Sequence, residues 1–338
     1  MPTNSRTSWR VGALVFGLVG LCLALACLSG PLFPFDPKPS DIAAAVAKEP
    51  DLDAYLRRRE AETRDVRPDL AKTIAWNDPV ARSKTPLALV YLHGFSASRR
   101  DIAPVIETLA AELGANAFST RLTAHGRTTP AGFATATAQD WLDDAREALA
   151  IGRRIGDRVV LIGISTGSLL ATMAALEDNS PDIAALVLLS PNFAIRDWRG
   201  KFISGPLGGV LARVVIGKDY SFQPDSAGHA EFWTTRYPSQ AYVALMDLMN
   251  YARAIHLDTL RVPTLIIYTD QDTVVDATAI KQRFDEIRSP AKLLVDLPGA
   301  TRHELTGDAL VPETVAPVLE RVAEFLAAHA AIAPRKLQ

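Results

Sequence analysis

Short, unbroken apolar runs recur along the body of the chain, and between them apolar residues return at helical spacing. Strands are predicted at residues 87–92 (LALVYL), 117–122, 159–164 (VVLIGI), 183–189 (IAALVLL), 264–269 and 293–297. Helices are predicted at 101–113, closed by Gly114, and along Trp141, Ala145, Ala148, Leu149, Gly152 and Ile155, stopped by Gly156. Two more fall at 168–176 and 315–331. Runs without polar alternation suit strands covered on both faces, and helices between them supply the crossovers of a parallel sheet. The predicted fold class is α/β, with a doubly wound, mostly parallel sheet.

The stretch from 189 to 264 breaks this rhythm. At roughly seventy residues it exceeds an ordinary crossover, and it carries helical patterns at 207–215 and 242–254. It reads as a helical cap inserted over the strand ends. The expected organisation is a core of residues 86–190 and 263–338, a cap of 191–262, and a Pro-rich, then charged lead-in of 31–85. Within the lead-in a helix is expected over 52–63, with Asp51 as its N-cap and Arg57, Arg58 and Arg59 on a solvated face.

Residues 1–30 are of another kind. Residues 11–28 are apolar and uncharged, preceded by Arg6 and Arg10 and followed by Pro31, Pro34, Asp36 and Pro37. At ~1.5 Å rise per residue such a helix just spans a hydrocarbon core, and the arginines would hold its N-terminal end in the cytoplasm. An uncleaved membrane anchor is the favoured reading, which makes the membrane a partner. A cleavable signal ending at Ala24-Leu25-Ala26 is the second. Lipid attachment at Cys27 is the third, with Ala24 standing where leucine is usual. All three send the body out of the cytoplasm, to the periplasm or the exterior, and cleavage would make it secreted.

Composition adds exclusions. With 48% hydrophobic and 22% charged residues, the chain is built to fold rather than to stay disordered. A formal net charge of −2 offers no broad basic surface, so no nucleic-acid partner is expected. Cys22 and Cys27 are the only cysteines and both lie in the N-terminal stretch, so the body has no disulfide framework or thiolate metal site. No G-x-x-x-x-G-K or dinucleotide fingerprint occurs, and Gly307 stands where a zinc protease motif starting at His303-Glu304 would need its second histidine. Neither a metal nor a cofactor is expected.

One motif carries chemistry. Gly163-Ile164-Ser165-Thr166-Gly167 follows a predicted strand and opens a predicted helix, so its glycines permit a sharp corner with Ser165 exposed at the tip. A serine hydroxyl is too weak an acid to attack alone and needs a base oriented by a carboxylate. Of six histidines, His93 and His125 precede the serine, His229 and His256 fall in the cap, and His329 sits on the last helix. His303, in the loop after the last strand, is placed to reach a nucleophile at the C-terminal edge of the sheet. For the carboxylate, Asp270, Asp272 and Asp276 follow the strand at 264–269; Asp272 is preferred and Asp270 is the fallback. The main-chain N–H groups of Thr166 and of Phe95, in the turn His93-Gly94-Phe95-Ser96, are candidate oxyanion donors. His93 is expected to fasten that turn rather than carry a proton.

On these residues the sequence resembles the α/β-hydrolase superfamily, in the branch that groups serine aminopeptidases, monoacylglycerol lipases and small carboxylesterases. The resemblance is carried by His93-Gly94-Phe95, Thr123-Ala124-His125-Gly126-Arg127, Gly163 to Gly167, Asp272 and His303-Glu304, over about residues 86–326. Ala124 stands where the family usually has glycine, and Thr269 where its G-x-x-D acid motif begins. The resemblance implies a Ser-Asp-His serine hydrolase and leaves its substrate open.

Ten of the 24 aromatic residues fall in residues 191–262, about twice an even share, which favours a small-molecule ester or lipid with an acyl chain or ring. Trp198, Phe202, Phe222 and Trp233 are the candidate substrate contacts. An aminopeptidase would instead need a cap acid for the free amine, and Asp197, Asp219, Asp225, Glu231, Asp247 and Asp258 are available. A reading from another class is a catalytically silent binding protein that keeps the fold.

Overall fold

The computed structural model describes Gly17 and residues 34–178, 180–197 and 208–330. The segment 11–28 thus lies outside the described residues apart from Gly17, as do Trp198 and Phe202. No helix among the described residues is long and apolar enough to cross a membrane.

The chain opens with α1 (Ile42–Lys48), α2 (Leu52–Ala61) and the short strand β1 (Thr73–Ala75). The body then alternates β2 (Thr85–Leu92), α3 (Val105–Leu113), β3 (Asn116–Ser119), α4 (Ala138–Ile155), β4 (Gly156–Ile164), α5 (Thr166–Asp178) and β5 (Ile183–Leu189). A long excursion follows, with α6 (Gly208–Val215), β6 (Asp219–Ser221), α7 (Ala227–Phe232), β7 (Arg236–Pro238) and α8 (Ala241–Ala254). The chain rejoins the sheet as β8 (Thr264–Tyr268), then α9 (Ala277–Glu286), β9 (Lys292–Asp296) and α10 (Val315–His329).

Seven strands form one sheet in the order β1-β3-β2-β4-β5-β8-β9, parallel throughout except for β1 on β3. The unbroken apolar runs now have their cause. Along the central strands Val90, Leu161, Leu188 and Ile266 pack under α4, α5 and α8, while Leu89, Val160, Val187 and Ile267 pack under α3 and α10. Successive side chains point to opposite faces, and both faces are covered.

Several local expectations needed correction. α3 begins at Val105 rather than Asp101, because residues 101–104 form turns in which Asp101 is held by other partners. β3 ends at Ser119 because the chain turns away to meet His93, which accepts the N–H of Leu122 at 3.0 Å. The excursion is not purely helical, since β6 and β7 pair antiparallel within it. The lead-in helix does start at Asp51, whose carboxylate accepts the N–H of Ala54 at 3.0 Å. Of its arginines, Arg59 leaves the solvated face to pair with buried Glu147 at 3.3 Å. β1, α1, α7 and α9 had no signal strong enough to be read, and the first two bind the lead-in to the core. Lys72, just before β1, is buried against Asp144 at 3.0 Å and against Glu147, so the charge removed from water has two counter-charges.

Candidate active site

β4 ends at Ile164 and α5 begins at Thr166, leaving Ser165 alone on the corner with φ +53°. This left-handed conformation costs an L-residue about 1–2 kcal/mol, so the surrounding packing must enforce it. A Cβ on Gly163 would come within 2.4 Å of the Gly167 carbonyl oxygen, and one on Gly167 within 2.0 Å of that of Leu92. The corner is also tied down by hydrogen bonds. The N–H of Ser165 donates to Leu189 O at 2.8 Å, and Ser168 Oγ donates to Gly163 O at 2.7 Å.

His303 arrives on the loop after β9. Its Nε2 lies 2.9 Å from Ser165 Oγ, and its Nδ1 lies 2.8 Å from Asp272 Oδ2. All three side chains are buried, Asp272 almost completely. The second Asp272 oxygen accepts the N–H groups of Val274 (2.7 Å) and Val275 (2.9 Å). Burial alone would raise this carboxyl, but His303 and those two N–H groups outweigh it and hold it below the usual range. An ionised Asp272 requires the proton on Nδ1, which leaves Nε2 free to accept from Ser165. Burial disfavours the imidazolium of His303, yet the charge and hydrogen bond of Asp272, with Glu304, raise it overall.

The three acids of this loop have separate fates. Asp270 is exposed and pairs with Lys281 at 2.7 Å, and Asp276 caps α9 by accepting the N–H of Thr278 at 2.9 Å. Only Asp272 faces His303 among them. Thr269, standing where the family has glycine, does not need a positive φ, and its hydroxyl donates to Ala300 O at 2.7 Å. That bond joins the acid-bearing loop to the histidine-bearing loop. Ala124 does adopt φ +73°, so here an alanine carries a conformation that glycine reaches without strain.

The turn after β2 lies beside the corner. Neither the N–H of Phe95 nor that of Thr166 is taken up by another group among the described residues. His93 and His125 are buried beneath them and neutral, His93 pushed down to about 4 and His125 also well down, in both cases chiefly by burial. They hold backbone: His93 Nδ1–H donates to Gly94 O (2.8 Å), and His125 Nε2 accepts the N–H of Ser96 (3.0 Å).

Ser165 and His303 open into a cavity of about 610 Å³. Phe222 and Trp233 line it, whereas Trp198 and Phe202, their companions in the sequence reading, lie outside the described residues. Phe95, Tyr220, Tyr237 and Tyr242 line it as well, with Tyr237 packed edge-on against Phe95 at 5.2 Å between centroids. Sequence reasoning missed Asn192 and His229 on the wall. His229 sits between Phe222 and Trp233, at 5.1 and 4.9 Å, and nothing in its local sequence marks it. Of the six cap acids named above, Asp197 alone lines the cavity. Asp219 and Asp225 are paired with Arg236 and Arg302. Among the described residues, no group of three His, Cys, Asp or Glu side chains is arranged to hold a metal.

Comparison with solved structures recovers the same architecture. A chain from the metagenome-derived lipolytic enzymes LipS and LipT aligns at TM-score 0.65 and 22% identity, covering 78% of this chain and all 100% of that one. The soluble variant of the monoglyceride lipase of Saccharomyces cerevisiae gives 0.58 at 14% identity, over 77% of this chain and 91% of that one. The monoacylglycerol lipase of Paleococcus ferrophilus gives 0.56 at 16%, over 77% and 99%. At such identities the likeness speaks for the α/β-hydrolase fold. No curated protein sequence matches the chain. The family described as serine aminopeptidase, S33 matches residues 83–309, from just before β2 through the loop that carries His303. That match takes in the corner, the acid loop and the histidine loop together, and the protein belongs to the serine aminopeptidase S33 family of α/β-hydrolases.

Proposed function

We propose that the protein is a serine hydrolase that cleaves carboxylic esters of lipase or esterase type through an acyl-enzyme on Ser165. The observation that carries this reading is the unbroken line Asp272–His303–Ser165, at 2.8 and 2.9 Å, opening into a cavity walled mainly by rings and aliphatic side chains. His303 Nε2 takes the Ser165 proton as Oγ bonds to the substrate carbonyl carbon. The carbonyl oxygen becomes an oxyanion facing the N–H groups of Phe95 and Thr166. When the ester C–O bond breaks, the departing alkoxide takes the proton from His303. Water, deprotonated by the same nitrogen, then releases the acid and restores Ser165. Asp272 keeps the imidazole in the required tautomer and stabilises the imidazolium. No step calls for a cofactor.

An ester or lipid substrate is favoured by the cavity wall, and the lipolytic names of the structural neighbours agree with it. The aminopeptidase alternative has one observation of its own, Asp197 on the cavity wall, where a substrate ammonium could be received. A panel of p-nitrophenyl esters, monoacylglycerols and aminoacyl anilides separates the two. Esters are expected to exceed anilides by about 100-fold or more in kcat/KM, and the reverse order would install the aminopeptidase. For residues 11–28 we retain the membrane tether, with the catalytic body outside the cytoplasm.

The pH profile follows from His303. The base must be unprotonated, and its partner Asp272 raises it above the ordinary 6.5. The acid limb of kcat/KM is therefore expected to have its midpoint above 6.5, with activity lost as pH falls through it. In Asp272→Asn the midpoint should move down while the plateau falls. A profile flat from about pH 5 to 8 would remove His303 as the base.

A further inference from the structure

Asp101 is a buried carboxylate that the chemistry above does not use. It lies seven residues beyond Gly94, in the turns that precede α3, and is 4% exposed. One oxygen accepts the hydroxyl of Tyr91 on β2, and the other accepts the N–H of Gly94 at 3.1 Å. Burial pushes the carboxyl up to about 7 against the pull of those hydrogen bonds, so the fold bears a cost to keep it there.

The arrangement around Phe95 explains what that cost secures. Three consecutive N–H groups belong to Gly94, Phe95 and Ser96. The first is held by Asp101 and the third by His125, at 3.1 and 3.0 Å. The peptide between Gly94 and Phe95 is held at its carbonyl by His93, at 2.8 Å, which leaves its N–H pointing the other way and unclaimed among the described residues. Gly94 stands close to both Ser165 and Asp101. A Cβ built on Gly94 would lie 3.5 Å from Ser165 Cβ and 3.8 Å from Asp101 Oδ2. Asp101 is itself wedged, because Gly307 packs so close that a Cβ there would come 2.3 Å from the Asp101 carbonyl oxygen. The N–H of Asp308 donates to Ala103 O at 2.7 Å. The carboxylate thus ties the turn bearing the Phe95 N–H to β2, while the main chain of Asp101 and Ala103 fixes the carboxylate's own backbone against the loop that follows His303.

We propose that Asp101 is a positioning residue that aims the main-chain N–H of Phe95 at the developing oxyanion. The proposal rests on the acyl-enzyme reading of Ser165. A donor aimed at a charge present only in the transition state acts on kcat more than on KM. Leucine at 101 leaves the N–H of Gly94 and the hydroxyl of Tyr91 unanswered. Asparagine can still accept from Gly94 through Oδ1 and donate to Tyr91 through Nδ2, after rotation of the phenol hydrogen.

The test is ester hydrolysis by purified Asp101→Leu, Asp101→Asn and the double variant Tyr91→Phe/Asp101→Leu, each with its denaturation midpoint. Asp101→Leu is expected to lose about 10–100-fold in kcat with KM within about threefold, and Asp101→Asn to recover most of it. Tyr91→Phe/Asp101→Leu removes both ends of one buried hydrogen bond and should regain stability relative to Asp101→Leu. Its kcat should stay low, because Gly94 remains unheld. Recovery of kcat together with stability in the double variant would reduce Asp101 to a packing residue and overturn the proposal. So would an unchanged kcat in Asp101→Leu, or a loss in Asp101→Asn as large as in the leucine variant. If Asp101→Leu does not fold, the asparagine and double variants still decide. A parent protein that hydrolyses no ester and takes no fluorophosphonate would instead strike the acyl-enzyme reading, which is a separate failure.

Discussion

Ser165→Ala is expected to lower ester kcat by about 10⁴- to 10⁶-fold and to abolish labelling by a fluorescent fluorophosphonate. Nothing else at the corner can replace the lost oxygen. Thr166 is fully buried within α5, and the next hydroxyl, Ser168, already donates to Gly163 O and lies 3.1 Å from Leu189 O. Residual turnover would come from binding and the N–H groups of Phe95 and Thr166 alone. The same position tests the strain. At φ +53° alanine is held as uncomfortably as serine, whereas glycine is not. Ser165→Gly should therefore be as inactive as Ser165→Ala yet more stable by about 0.5–1 kcal/mol, read from urea denaturation. Labelling that survives in Ser165→Ala would mean another nucleophile. A folded parent protein that never labels would favour the silent binding protein.

The second large effect is expected from a single methyl group. In Gly167→Ala the new Cβ would lie 2.0 Å from Leu92 O and 2.6 Å from His93 O. Both are backbone atoms at the end of a central strand, so no side chain can rotate aside. Ordinary contact could be restored only by drawing the start of α5 away from the end of β2 by about 1.4 Å or more. That movement would part Thr166 from Phe95 and tilt Ser165 away from His303. Destabilisation of about 3 kcal/mol or more is expected, with kcat down about 100-fold in whatever folds. Gly299→Ala is the control. Unlike Gly167 it has a positive φ, +81°, but its Cβ would meet nothing within 4 Å, so about 1 kcal/mol is expected, from backbone strain alone. Equal losses in the two variants would mean that the corner is not packed as described.

Thr269 and Ala124 show how a chain can depart from a family pattern and keep its geometry. Thr269 replaces a flexible residue with a hydroxyl that links the acid loop to Ala300. Ala124 accepts strain and in return packs its methyl against the cluster of Phe133, Tyr237 and Ala241. Neither outcome could be read along the chain, since each partner is distant in sequence.

Much of the fold was legible because its causes are local. Apolar runs such as 159–164 and 183–189 announce strands covered on both faces, and Gly114 and Asp51 mark helix ends through their own backbone preferences. The corner was legible for the same reason, since two glycines and a serine within five residues suffice to make it. Short edge elements were not legible. β1, three residues long, is a strand only because β3 lies beside it.

The sequence by itself determined the α/β alternation, the family resemblance and the candidate serine, histidine and carboxylate, all carried by short-range patterns of burial and backbone freedom. Tertiary structure alone decided which acid of the loop faces His303. Asp270 and Asp272 are two residues apart and chemically identical, and only the path of the backbone turns one toward Lys281 and the other toward the imidazole. It likewise decided which cap residues reach the cavity, and that Asp101 and Tyr91 meet beneath the Phe95 turn. Those choices rest on contacts between segments far apart in the chain, and such contacts exist only once the sheet and its two helical layers have closed around them.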